Sequence, residues 1–366
     1  MSANTSDNVT QYESFESPTY FDFVAAQIAN ALYVYYTPIL IILGSIGNLL
    51  SIYVFFNSKL RLQSTSQYLS ALAISDTIFL LQLLAPWFSA VQWTTIFYTG
   101  GVCQVSVYLS YVSCCLSVWL VMAFTIERFV AVLYPLRRTA WCTVRRARYV
   151  IIFLSAGACT VNLPVLRFAI PSRNDCNIDK QYLEHAARFN LVDTVLSFSV
   201  PLGLIVLLNV WIIVGVCRLE KTRRELMKTE QPVLGERARP TRLIGCPRSQ
   251  QRVTRMLLIV SSVFVILNMP AYALRIIAYA YNLHFAGRWM AVQQLAVMFF
   301  HTNFGINFML YCLTGQNFRR AVRQSIPCLR QRARRQDAVR RTASRPARTS
   351  SISIRYVSGI SLESAD

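Results

Sequence analysis

The chain has 366 residues, 54% of them hydrophobic and only 15% charged, with a net charge of +20. Soluble domains carry about 25% charged residues, so this composition, with a mean hydropathy of +0.38, belongs to a membrane protein. Positive charge of this size would suggest nucleic acid in a soluble protein, but it lies on alternate loops that topology explains, so no nucleic-acid partner is expected.

Residues 1–30 form a polar, acidic-leaning tail. It carries two acceptor triplets for N-glycosylation, Asn4-Thr5-Ser6 and Asn8-Val9-Thr10. The first 20 residues lack the basic start and apolar core of a cleavable signal peptide, so the first span is expected to serve as the anchor. Six stretches are apolar for about 20 residues: 33–56, 67–91, 103–126, 149–166, 191–217 and 253–281. A seventh, 289–312, is interrupted by Gln293, Gln294, His301, Asn303 and Asn307. It is still long enough to span, provided its polar atoms face protein or water.

No Lys or Arg occurs in residues 1–37, whereas segments 57–66, 128–148, 218–255 and the stretch after 312 hold 31 of the 37. The positive-inside rule therefore predicts an N-terminus outside and a cytoplasmic C-terminus. Ten cysteines at this length do not signal a disulfide scaffold. Cys103 and Cys176 fall on the outer side, while Cys114, Cys115, Cys159 and Cys217 lie in apolar stretches as small hydrophobes.

The third apolar stretch runs from Cys103 to the triplet Glu127-Arg128-Phe129, about 37 Å of helix. An ionised pair at the end of a membrane helix is functional by default; otherwise its charge only snorkels to the interface. Polar residues also recur at depth: Asn48, Asp76, Ser117, Asn303 and Asn307. A buried aspartate there needs a partner, hydration or a cation, and a sodium ion or proton could compensate it; the plainer alternative is interhelical glue. The third inner loop, about 218–252, contains Pro232, Pro240 and Pro247 and should be largely irregular. Beyond Tyr311, Phe318, Val322 and Ile326 recur every fourth residue opposite Arg319, Arg320 and Arg323, a short amphipathic helix on the inner leaflet. Cys328 is a candidate palmitoylation site. Residues 328–366 read as a flexible tail with phosphorylatable Ser and Thr. The expected fold is thus an all-α seven-helix membrane bundle, residues 31–327, between two tails.

Gly47-Asn48, Leu72-Ala73-Ile74-Ser75-Asp76, Cys103 through Phe129, Pro201, Phe264, Pro270, Asn307 and Tyr311 stand in order on separate helices. In this the chain resembles the rhodopsin-like (class A) G-protein-coupled receptors. The wording of its last two spans resembles invertebrate neuropeptide receptors of the FMRFamide, CNMamide and thyrotropin-releasing-hormone-like group. Departures are present: Leu267-Asn268-Met269-Pro270 lacks the family's Trp, Asn307-Phe308-Met309-Leu310-Tyr311 lacks its Pro, and Asn209 replaces a Tyr. The resemblance implies a Cys103–Cys176 disulfide and a resting pair between Arg128 and Glu127. It also implies a helix-six switch at Phe264, Asn268 and Pro270, and coupling to a heterotrimeric G protein through Glu127, Arg128, Phe129, Asn307 and Tyr311. Arrestin and receptor kinases would act at the tail, and a sodium ion would sit near Asp76. The acid that this family places on helix six is absent between Gln250 and Arg255.

Amine receptors carry an Asp where this chain has Ser110, and opsins a Lys that 289–312 lacks, so neither an amine nor retinal is expected. The outer halves offer Gln104, Tyr108, Tyr111, Arg167, Arg188, Asp193, Tyr272 and Arg275. Aromatic walls rimmed by Arg suit a peptide with a C-terminal amide or carboxylate and an aromatic side chain, although Arg167 and Arg275 could equally reach interfacial water; the resemblance implies a short, amidated neuropeptide. The alternatives are a lipid or other small-molecule ligand, and a transporter, which would show the paired repeats absent here. No metal, phosphate-loop or nucleophile–base spacing supports an enzyme.

Overall fold

The computed structural model describes residues 20–93, 98–172, 176–229, 248–280 and 288–325. Among them, seven helical segments are long and apolar enough to cross a membrane: Tyr20–Asn57, Ser64–Ala90, Val102–Leu133, Val144–Phe168, Lys180–Thr222, Arg252–Ala280 and Trp289–Thr314, numbered spans 1 to 7. Helix is the form that satisfies each backbone polar group within its own segment, as hydrocarbon demands. The outward faces stay apolar, with Leu43, Phe153, Leu207 and Ile266 exposed. Span 3 is the axis and touches spans 2, 4, 5 and 6, while span 1 packs along spans 2 and 7 and span 6 along spans 5 and 7. One apolar core fills the inner half around Leu72, Phe124, Ile205, Leu257 and Tyr311. A smaller one, with Leu40, Phe79, Leu80 and Phe304, fills the space between spans 1, 2 and 7.

Two spans are interrupted where proline removes a backbone donor. Span 2 divides at Leu83 into Ser64–Gln82 and Leu84–Ala90, ahead of Pro86. Span 5 takes a π-turn at Thr194–Ser199, just before Pro201. There the Ser199 hydroxyl donates to the Thr194 carbonyl at 2.9 Å, a local repair of the disturbed ladder. π-Turns of this kind are frequent at functional sites, and this one faces the outer half.

Two boundaries differ from expectation. Span 1 begins at Tyr20, not after residue 30; residues 20–30 contain no Gly or Pro, and Asp22 in the first turn complements the helix dipole. The helix of span 5 continues to Thr229, and that of span 6 starts at Arg248. The third inner loop is correspondingly shorter than 218–252, because no Gly or Pro occurs from Val216 until Pro232 and Lys221 pairs with Glu225 one turn on, at 4.0 Å. Asn4, Asn8 and Cys328 lie outside the described residues.

Between spans 4 and 5, strands β1 (Ala169–Pro171) and β2 (Cys176–Ile178) pair antiparallel with Pro171 opposite Cys176. Cys176 is disulfide-bonded to Cys103, with Cα atoms 5.6 Å apart, so the hairpin is tied to the start of span 3. After span 7, helix Gln316–Ser325 buries Phe318 and Ala321. Arg319 donates to the Cys312 and Leu313 carbonyls at 2.7 and 2.6 Å, capping the end of span 7. The chain divides into compact units 1–322 and 323–366; of the second, only residues 323–325 are described, the last turn of that helix.

Spans 1 and 7 meet backbone to backbone. A Cβ placed on Gly44 would lie 2.8 Å from the Gly305 Cα and 2.7 Å from Leu80. Close approach through small residues is how membrane helices gain packing energy without a hydrophobic drive. Gly44→Ala should lower the thermal midpoint of the purified protein through overpacking of about 1–3 kcal/mol. Gly203→Ala, where a Cβ meets nothing within 4 Å, should not. Equal midpoints for the two variants would refute the close-packed seam.

Candidate functional site

A cavity of about 510 Å³ opens between the outer halves of spans 3, 5, 6 and 7. Its size falls within the range of ligand pockets, roughly 300–1,000 Å³. The floor is aromatic: Tyr272 stacks on Phe198, and Phe300 meets Tyr272 edge-on at 5.9 Å. Phe300 and Phe304 then continue to Phe79 on span 2. Gln293 and His301 supply polar atoms from span 7.

A polar knot closes one side. The Asn190 carboxamide oxygen accepts from the Tyr111 hydroxyl at 2.6 Å and from Arg275 Nη2 at 2.9 Å. Arg275 Nη1 lies 3.7 Å from Asp193 Oδ2. Spans 3, 5 and 6 are thus linked through one amide and one loose ion pair, in which the Arg275 side chain keeps 34% exposure and Asp193 only 10%. A carboxylate this enclosed is costly without its cation.

Of the expected ligand contacts, Tyr111, Asp193, Tyr272 and Arg275 line the cavity and four others do not. Gln104 caps the start of span 3 by accepting from the Gly101 N–H at 2.7 Å. The Tyr108 hydroxyl donates to the Cys159 carbonyl on span 4 at 3.0 Å; three residues from Tyr111, it lies about 60° away around the helix. Arg167 sits in the last turn of span 4, 3.9 Å from Asp179 and 4.3 Å from the Tyr182 ring centre. Arg188 pairs with Glu184 on an exposed face. Asn190 was missed, although its place three residues before Asp193 on one helix face was a usable signal.

Midway down, Asp76 is fully buried. Its carboxylate accepts from Asn307 at 2.7 Å and from Ser117 at 3.3 Å. Asn48 does not join it; its amide donates to the Phe304 carbonyl at 2.8 Å. The Asn303 amide nitrogen and the Asn48 carboxamide oxygen are buried without partners among the described residues.

At the inner end, Glu127 Oε1 accepts from Ser64 and Thr65, each at 2.8 Å, and pairs with Arg128 at 2.6 Å. Arg128 also donates to Thr65. The Cys142 thiol donates to the Glu127 carbonyl at 3.7 Å; burial, then the Glu127 charge, pushes its pKa up, keeping it protonated. Phe129 packs against Trp211 instead, with ring centres 5.7 Å apart. No acid of span 6 reaches Arg128 among the described residues. Span 6 is held elsewhere: Ser261 exchanges hydrogen bonds with Asn209, Arg252 donates to Gln316 at 2.6 Å, and Met256 lies against Gly315, where a Cβ would meet its sulfur at 2.6 Å. Tyr311 is buried between Phe55 and Phe318. Within span 6, Pro270 interrupts the ladder and the Asn268 amide donates to the Phe264 carbonyl at 2.6 Å.

Residues 47–311 match the family described as 7 transmembrane receptor (rhodopsin family). Similar curated proteins include somatostatin receptor type 3 of Rattus norvegicus, 28% identical over 81% of this chain and 68% of that receptor. Somatostatin receptor type 2 of Sus scrofa is 25% identical over 87% and 82%. The thyrotropin-releasing hormone receptor of Ovis aries is 25% identical over 78% and 75%. The match runs from the middle of span 1 to Tyr311 and so takes in the cavity, the buried Asp76 and the Glu127–Arg128 pair. This chain belongs to the rhodopsin family of seven-transmembrane receptors, and is a multi-pass plasma-membrane signalling receptor, not an enzyme.

Proposed function

We propose that the chain is a receptor for a short, C-terminally amidated peptide and couples its binding to a heterotrimeric G protein. The observation that carries the ligand class is the Arg275–Asp193 pair beside an aromatic cavity. A primary carboxamide presents an acceptor and a donor side by side, and fits an Arg and an Asp 3.7 Å apart. A free carboxylate would satisfy Arg275 but face Asp193. The aromatic floor suits an aromatic side chain next to that amide. The similar receptors, by name, are for somatostatin and thyrotropin-releasing hormone.

The N-terminus lies outside, with Asn4 and Asn8 glycosylated, and the C-terminus lies in the cytoplasm, with Cys328 palmitoylated and the tail open to receptor kinases and arrestin. The bound amide draws Arg275 away from Asn190, which releases the outer half of span 6. Span 6 pivots at Pro270, and its inner contacts to Asn209, Gln316 and Gly315 part. Arg128 then leaves Glu127 for the C-terminal helix of the G-protein α subunit. Asp76 and Ser117, with the unpartnered oxygen of Asn48 within the same polar layer, would hold a sodium ion that favours the resting state.

Amidated peptides should stimulate guanine-nucleotide exchange on purified G proteins, and their free-acid forms should be at least tenfold weaker. Arg275→Ala should weaken the amidated peptide about 30-fold or more, since it strands Asp193 at roughly 2 kcal/mol or above. Asp193→Asn should narrow the amide-to-acid preference; equal potency of amide and acid on the wild type would end this ligand assignment. Arg128→Ala should abolish exchange while peptide binding stays measurable, and undiminished exchange would remove Arg128 from coupling. Sodium should lower peptide affinity for the wild type and not for Asp76→Asn; a sodium effect that survives in Asp76→Asn rules out the cation site.

A further inference from the structure

A second cavity, about 430 Å³, lies far from the ligand cavity, between the inner halves of spans 2, 3 and 4 and the turn joining spans 3 and 4. Trp119, Met122, Ile126, Phe153 and Leu154 line it, and Glu127 forms part of its inner wall. Its mouth opens among lipid-facing side chains: Phe153 is 76% exposed and Ile126 42%. From Trp119 to Val130 it follows eleven residues of span 3, about 16 Å of helix. That matches one leaflet's share of hydrocarbon, about 15 Å. At the interfacial end sit Trp141 and Arg146, whose guanidinium rests 4.8 Å from the Trp141 ring centre.

Arg146 lies on the rim, and the adjoining sequence is positive. Residues 128–148 contain six Arg and no acid, and among the described residues Arg137, Arg138, Arg145 and Arg146 have no carboxylate partner. An apolar slot one leaflet deep with the Arg146 guanidinium at its rim, in a basic stretch of sequence, is complementary to a molecule with a long chain and an anionic head.

We propose that this cavity is a binding site for an anionic phospholipid of the cytoplasmic leaflet, with one acyl chain against Trp119 and Phe153 and the headgroup phosphate on Arg146. The assignment to the cytoplasmic leaflet rests on the orientation proposed above. Anionic lipid is abundant in that leaflet and draws juxtamembrane basic residues. Glu127 lines the cavity, so the site borders the Glu127–Arg128 pair.

The test uses the full chain in nanodiscs of zwitterionic lipid, titrated with phosphatidylglycerol brominated in one acyl chain, which quenches tryptophan on contact. Subtracting the Trp119→Phe variant isolates the Trp119 signal. Subtracting Trp211→Phe isolates a lipid-facing tryptophan on span 5 that is 58% exposed. Trp119 quenching should saturate at a low mole fraction while Trp211 quenching rises in proportion to the lipid. Arg146→Gln should raise the half-saturation about fivefold, the factor that corresponds to roughly 1 kcal/mol for one interfacial cation. Parallel quenching of the two tryptophans, equal quenching of Trp119 by brominated phosphatidylcholine, or an unchanged half-saturation in Arg146→Gln would each overturn the site. Nanodiscs present anionic lipid on both faces, so an error in the membrane orientation would not produce any of these outcomes.

Discussion

Hydrocarbon supplies no hydrogen bonds, and each polar side chain in this bundle has to find its partners inside the protein. Asp76 shows the rule at its strictest. Fully enclosed, it takes a donor from span 3 through Ser117 and one from span 7 through Asn307. Those two bonds fix the rotation of three helices at mid-depth. The close seam between Gly44 and Gly305 requires span 7 to present its small face to span 1, and the same rotation turns Asn307 toward Asp76. Packing and polar satisfaction therefore select one arrangement together.

Span 3 carries that constraint to both ends of the molecule. Its outer end is held by the bond to Cys176, its middle by Asp76, and its inner end by Ser64 and Thr65 on span 2 through Glu127. An axis fixed at three depths is a poor candidate for the moving part. Span 6 has the opposite character. It contains Pro270, its outer end rests on a loose ion pair, and its inner end on hydrogen bonds to uncharged acceptors and one sulfur contact. This contrast in bonding is what the proposed pivot of span 6 requires.

Seven spans, their order and the buried polar residues were legible in the sequence because hydropathy reports burial in lipid directly. Helix ends were less so: residues 20–30 adjoin a polar tail and 218–229 are polar enough to resemble a loop, and their helicity rests on the absence of Gly and Pro and, in the second, on the Lys221–Glu225 pair. The lining of the outer cavity was half legible. Residue type marks Tyr108 and Tyr111 alike, yet a 60° difference in direction sends one to the Cys159 carbonyl and the other to Asn190. Arg167 and Arg188 have the residue type and depth of cavity residues, whereas nearby Asp179 and Glu184 claim them locally. Direction around a helix depends on its neighbours, which a single sequence does not specify.

The missing acid on span 6 has a physical consequence for the resting state. A second carboxylate near Arg128 would join spans 3 and 6 by an ion pair of buried charges, costly to break in a low dielectric. Here the Arg128 charge is balanced within span 3 by its own neighbour, with Thr65 of span 2 as the outside partner. The proposed separation of span 6 would strand no buried charge: it would expose the Asn209–Ser261 pair and the Arg252–Gln316 bond, groups that water can satisfy at the inner interface. Under the proposed pivot, the energy that holds span 6 in place lies in packing around Met256, Gly315 and Phe318 rather than in electrostatics, and it can be altered by changes in side-chain size with the charges left untouched.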